Sequence, residues 1–218
     1  MVKVLIPLVN GFEEIEAVSI IDILRRAQVE VVVAGVEQGS ITGSHHITVD
    51  PDVSLSDLWT DEDAANQLVD RFDALVLPGG PGTRTLQTDP RVGQLIQAFT
   101  QQHRWVAAIC AAPMVLAQQG ILANKAATSY YSPQAYQQAS AGTILLPLAT
   151  GPIGHYRTDP VVVDGQIITS RGAGTAVEFA LQLVANLVNP SLADQIATAI
   201  HSSWRAAATG SIASSYKA

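Results

Sequence analysis

Near-continuous apolar runs recur along this chain, each followed by a turn and an amphipathic stretch, and that alternation leaves few folds open to it. Lys3 to Val9 is the first such run. An apolar strand without polar alternation is one covered on both faces, as in a parallel sheet. After Asn10-Gly11, the acids Glu13, Glu14 and Glu16 lead into Ile15, Val18, Ile20, Ile21 and Leu24, and Arg25-Arg26 close the segment. Acids first and bases last match a helix dipole. Val29 to Val36 reads as a second strand, completing a βαβ unit whose crossover is expected to be right-handed. Phe72 to Leu77 is a third strand, ended by Pro78-Gly79-Gly80-Pro81-Gly82. Pro90 to Gln102 is a helix with Val92, Leu95, Ile96 and Phe99 on one face, and the run ending at Ile109 is a further strand with a helix closed by Gly120.

The later chain is less regular. A hairpin-like excursion spans Gly39 to Pro51, a short strand Ala126 to Thr128, and a helix is expected from Pro133. Val161 to Ser170 reads as a hairpin turning at Asp164-Gly165, and Ala173 to Leu187 as a long helix. The βαβα order predicts an α/β protein with a doubly wound, mostly parallel sheet and helices on both faces. In such sheets sites gather beyond the carboxyl ends of the strands. Cys110, Gly79-Gly80 and Asn10-Gly11 each follow a strand directly and are therefore expected along one edge.

Composition narrows the function. A length of 218 residues suits one domain with additions. Hydrophobic residues make up 48% and charged residues only 14%, which excludes a disordered chain. A net charge of -7, with no basic cluster longer than Arg25-Arg26, offers no platform for nucleic acid or anionic membranes. A single cysteine cannot form an internal disulfide, and no apolar stretch reaches the length of a membrane span. The opening reads as a first strand and not a signal peptide, so a cytoplasmic location is expected.

The single cysteine stands between Trp105-Val106-Ala107-Ala108-Ile109 and Ala111-Ala112-Pro113-Met114, a strand, a sharp turn and a helix start with proline at an early helical position. A sulfur at a helix N-terminus is favoured as thiolate by unpaired N–H groups and the dipole. A nucleophile elbow and a buried, inert cysteine are both open readings of this segment. Gly79 and Gly80, with the Ala111 N–H, are candidate donors for an oxyanion; a plain tight turn is the alternative. Glu13 and Glu14 read as first-turn acids. Glu16 leans toward the apolar side of its helix, and beside a thiolate it would resist ionising, donate to sulfur and carry protons; a boundary side chain turned to solvent is the alternative.

No histidine is close to Cys110 in sequence. His155 is the best placed for a tertiary role, whereas His45, His46, His103 and His201 read as surface residues. No metal-ligand spacing is present, and Gly79-Gly80-Pro81-Gly82 matches neither a Walker loop nor a dinucleotide fingerprint, so no metal, nucleotide or other cofactor is expected.

Together, Gly11-Phe12-Glu13-Glu14-Ile15-Glu16, Leu77-Pro78-Gly79-Gly80, Ala107-Ala108-Ile109-Cys110-Ala111-Ala112-Pro113 and Thr169-Ser170-Arg171-Gly172-Ala173-Gly174-Thr175 resemble the ThiJ/PfpI superfamily, in its deglycase branch. The likeness runs from about Val2 to Leu187. It implies a flavodoxin-like fold, usually homodimeric, with Cys110 as nucleophile, Glu16 as the acid bonded to it, and Gly79, Gly80 and Ala111 as surrounding donors. It further implies cofactor-free glyoxalase or deglycase activity on methylglyoxal, glyoxal or their early adducts. An oxidative-stress sensor or chaperone whose Cys110 becomes a sulfinic acid is the alternative. A cysteine amidase-type hydrolase is disfavoured because no His-x-Glu follows the elbow.

One departure concerns the second proton carrier. Where some members have a histidine, this chain has Thr128-Ser129-Tyr130-Tyr131-Ser132, leaving water, Tyr130, Ser129 or His155 for that role. His45 stands about where one branch carries an arginine near its site, and Arg171 is expected to be structural or at the dimer interface. The likeness covers residues 1–189; in 190–218, Ser191 is expected to cap a helix striped by Leu192, Ile196, Ile200 and Trp204, followed by a flexible tail from Ala206.

Overall fold

A computed structural model describes residues 1–132 and 151–206. The helix expected from Pro133 and the tail 207–218 lie outside the described residues. The strands are β1 (Lys3–Leu8), β2 (Glu30–Gly35), β3 (Ile41–Thr42), β4 (Thr48–Val49), β5 (Val53–Ser54), β6 (Ala74–Leu77), β7 (Trp105–Ile109), β8 (Ala126–Ala127), β9 (His155–Tyr156), β10 (Val161–Asp164) and β11 (Ile167–Ser170). The main sheet is seven-stranded in the order β10-β11-β7-β6-β1-β2-β5. Its pairings are parallel except at β10/β11, the hairpin expected around Asp164-Gly165. This is the doubly wound α/β arrangement anticipated from the alternation of strands and helices.

Side chains alternate across a strand, so one sheet feeds two cores. From β1, Leu5 points to the layer that also holds Leu68, Val92, Phe99 and Met114. Its neighbours Val4, Ile6 and Leu8 point to the opposite layer with Ile20, Leu24, Phe179 and Val184. The first layer is built by α3 (Ala64–Arg71), α5 (Pro90–Gln101) and α6 (Pro113–Gln118), α2 (Leu55–Leu58) and α4 (Thr83–Thr88) being short connecting turns. The second is built by α1 (Glu14–Arg26) and the later helices α7 (Ala176–Leu187) and α8 (Pro190–Ala199). Burial on both faces explains why these strands read as unbroken apolar runs. In β6 every residue, Ala74 to Leu77, is buried.

Several boundaries differ from the sequence reading. The helix expected from Ala173 opens as a 3-10 turn, Ala173–Thr175, and becomes α-helical only at Ala176. Thr175 Oγ1 is the reason: it donates to Gly172 O at 2.9 Å and meets Ser170 Oγ at 2.7 Å, closing a tight turn first. The last helix is capped by Asn189, whose Oδ1 accepts the Leu192 N–H at 2.8 Å, and not by Ser191. Pro190 takes the first helical position, where its missing N–H costs nothing. That helix ends at Ala199, so Trp204 reaches the core from the segment after it. The helices α2 and α3 and strand β5 were not apparent in the sequence, being too short to show a period. Among the described residues, no helix is long and apolar enough to cross a membrane.

Candidate active site

The carboxyl ends of β1, β6, β7 and β11 converge on Cys110. The chain leaves β7 at Ile109 and turns through Cys110 with φ 64, a left-handed conformation that L-residues avoid at a cost of about 1–2 kcal/mol. Two neighbouring segments hold the turn. Cys110 N–H donates to Ser170 O at 3.0 Å, and Cys110 O accepts the Tyr130 N–H at 2.7 Å. Pro113 then opens α6. This is the strand, sharp turn and helix of an elbow, and a strained backbone at a half-buried cysteine is not what inert packing requires.

Glu16 is fully buried, on the core side of α1, and reaches across to the same point. Glu13 sets the start of that helix, its carboxylate accepting the Glu16 N–H at 2.8 Å. Glu16 Oε2 accepts the Gly79 N–H at 2.8 Å. Its Oε1 is buried, and the side chain that interacts with this carboxyl is Cys110. Glycine at 79 is a spatial requirement: a Cβ there would stand 2.5 Å from Cys110 Cβ and 2.6 Å from Glu16 Oε2. Gly80 has φ 99, and a Cβ would fall 2.5 Å from Glu13 N.

The three backbone donors therefore divide. Gly79 spends its N–H on Glu16, whereas the N–H groups of Gly80 and Ala111 face the sulfur. Burial raises Glu16 to about 7, although hydrogen bonds from Cys110 and Gly79 pull it down. Burial also pushes the Cys110 thiol up, as do the charge of Glu16 and its hydrogen bond, against the lowering by Gly80 and Ala111. The helix-terminus argument for a free thiolate is thus corrected in part: α6 has only six residues, and burial together with the neighbouring carboxyl outweighs it. Two acids this close carry one negative charge between them, and the pair titrates as a unit.

The model of the DJ-1/PfpI family matches residues 2–186. This chain belongs to the DJ-1/PfpI family. It is 35% identical over 195 residues to protein dj-1beta of Drosophila melanogaster, covering 88% of this chain and 93% of that one. It is 32% identical over 178 residues to the glutathione-independent glyoxalase DJR-1.2 of Caenorhabditis elegans, covering 82% and 84%. Among solved structures, oxidized Toxoplasma gondii DJ-1 superposes with a TM-score of 0.78 at 33% identity, covering 94% of this chain and 100% of that one. The family's α/β fold is the one described above.

The remaining candidates in this family member separate clearly. Tyr130 stands near Cys110, its N–H bonded to Cys110 O, and its own hydroxyl is raised by Tyr131, by burial and by Cys110. Ser129 is buried with its hydroxyl donated to Tyr131 O at 2.5 Å. His155 lies on β9 near Asp164, level with the start of β7 and not its end. Four residues of strand, roughly 13 Å, separate those levels. The structure therefore does not bring His155 to Cys110. Arg171 donates to Thr158 O at 3.3 Å, a structural contact.

Two features were missed in the sequence. Gly172 approaches the sulfur, and the signals for it were its place in the Thr169 to Thr175 motif and just after β11 on the same sheet edge. Glu14 is buried and not merely a first-turn acid. It accepts the His45 N–H at 2.6 Å and meets His45 Nδ1 at 3.0 Å, fastening the β3–β4 hairpin to α1. Burial pushes Glu14 up, but the bonds from His45 outweigh it and hold the carboxyl at about 2. Glu13, Glu14 and His45 also bring ligand-type atoms within 4.8 Å of one another, although both Glu14 oxygens are already engaged within the protein.

Proposed function

We propose that this protein is a cysteine-dependent, cofactor-free glyoxalase or deglycase-like enzyme acting on methylglyoxal, glyoxal or their early adducts. The observation that carries this reading is the pairing of a strained, partly exposed Cys110 with a buried Glu16 able to hold a proton near neutral pH. The Cys110 sulfur adds to the aldehyde carbon, forming a C–S bond and a hemithioacetal whose oxygen receives a proton. Gly80 and Ala111 N–H groups stabilise the charge that develops there. Glu16 removes the proton from that carbon and returns one to the adjacent carbon, while the hydroxyl proton of the hemithioacetal passes to the neighbouring ketone oxygen, so the first carbon is oxidised and the second reduced within one substrate. Water then hydrolyses the thioester, releasing lactate and the thiol. Methylglyoxal plus water equals lactate, so no external oxidant is needed.

Lactate formation from methylglyoxal by wild type and Cys110→Ser tests this. Turnover is expected only with the sulfur, and equal background rates would sink the reading. The homodimer implied by family membership is part of the proposal and is checked by light scattering.

A second reading is favoured by the buried carboxyl of Glu16 and its interaction with the Cys110 side chain. A protonated Glu16 can donate to an oxygen added to sulfur, so Cys110 is also proposed as a redox sensor. Two molecules of peroxide convert the thiolate to sulfinate and two waters. Intact mass after mild peroxide should show two added oxygens at Cys110, and fewer in Glu16→Ala; unselective oxidation counts against it.

A further inference from the structure

Gly172 is extended, with φ 163 and ψ -169, so its backbone conformation is open to any residue and what it supplies is room. A Cβ at this position would lie 3.4 Å from Tyr130 Cδ2, 3.9 Å from Tyr130 Cε2 and 4.0 Å from Cys110 Sγ. The sulfur and the edge of the tyrosine ring thus both lie within van der Waals reach of the one point that the missing Cβ leaves free. Tyr130 is held in place there by its N–H bond to Cys110 O and by edge-on contact with the Tyr131 ring, centroids 4.5 Å apart. Even so, 48% of Tyr130 remains exposed. An anchored aromatic ring left open beside a reactive sulfur is a surface for a flat group carried by whatever the sulfur attacks.

We propose that Tyr130 is a specificity-determining residue, an aromatic shelf that favours α-oxoaldehydes and adducts bearing a flat aryl or unsaturated substituent over the methyl compound. Gly172 keeps the gap between shelf and sulfur open to a planar group. The inference rests on the proposed attack of Cys110 on a carbonyl compound and names the substrate class within it. Aromatic pairs contribute enough beyond area burial to give about a threefold to tenfold preference.

The test uses reagents that report on the shelf without turnover. Phenacyl chloride and chloroacetone each alkylate a thiolate, the C–S bond forming as chloride leaves, and they differ only in the phenyl or methyl group. The ratio of their rates at Cys110, followed by intact mass, is divided by the same ratio for a small free thiol. The normalised ratio is expected to be about threefold to tenfold in wild type and in Tyr130→Phe, and to fall to near unity in Tyr130→Ala and Tyr130→Leu. A wild-type ratio near unity, or one unchanged by both Tyr130→Ala and Tyr130→Leu, would overturn the proposal. Because alkylation needs no lactate to be made, failed turnover with an intact shelf effect removes the enzyme reading alone. If turnover is present, kcat/KM for phenylglyoxal over methylglyoxal should follow the same pattern.

Discussion

At Glu16, burial lifts the carboxyl to about 7 while the Cys110 thiol and the Gly79 N–H pull it back. The same carboxyl raises the thiol in return. Glu16→Gln keeps the shape and the acceptor for Gly79 but removes both the charge and the mobile proton. Lactate formation is expected to fall by about 10²-fold or more, the usual loss when a general acid–base is removed. Alkylation of Cys110 by iodoacetamide should move the other way, its rate profile shifting to lower pH because the carboxylate no longer opposes the thiolate. A pH profile unchanged from wild type would separate Glu16 from the sulfur. Gly79 illustrates how tightly this residue pair is set, since a single added carbon would meet both partners.

Among the elements, the last helix shows how a local choice is settled by one hydrogen bond. Ser191 and Asn189 are both cap-forming residues, but Pro190 cannot supply an N–H and fits the first helical position, which places the cap before it. Asn189→Ala is expected to lower stability by about 1 kcal/mol in urea denaturation, and Ser191→Ala by less than about 0.5 kcal/mol. The reverse order would return the cap to Ser191. The helix itself packs Ala193, Ile196 and Ala197 into the layer shared with α1 and α7, so this C-terminal segment continues the main core. The β3–β4 hairpin is likewise fastened to α1, here through Glu14, and its Thr42 O accepts the Gly11 N–H at 2.8 Å beside the site.

For the whole molecule, the two buried carboxyls of α1 oppose one another in pH dependence. Glu16 is raised from 4.5 to about 7, so the folded state holds its proton longer than the unfolded chain. Its stabilising contribution is complete below about 4.5 and is lost as pH rises through about 7. Glu14 is lowered from 4.5 to about 2, so its contribution is present above 4.5 and lost as pH falls through about 2. Relative to Glu16→Gln, wild type should therefore lose up to about 3 kcal/mol between pH 4.5 and 7, measured by urea denaturation at several pH values. A constant difference across that range would mean that Glu16 does not hold its proton in the fold.

The sequence by itself determined the parallel sheet, the order of its main helices and the edge on which the site lies, because strands buried on both faces cannot hide their apolar runs and turns require glycine. It also singled out Cys110, Glu16 and Gly80 through motifs written in consecutive residues. Only the tertiary structure decided that Gly79 serves Glu16 and not the sulfur, that His155 is remote, and that Gly172 and Tyr130 border Cys110. Those relations join residues from different strands and loops, and no period or spacing along one segment records them. The direction of the thiol's shift belongs to the same class: a short helix N-terminus is visible in sequence, but the burial of the thiol and the Glu16 carboxyl brought to it by α1 outweigh that terminus.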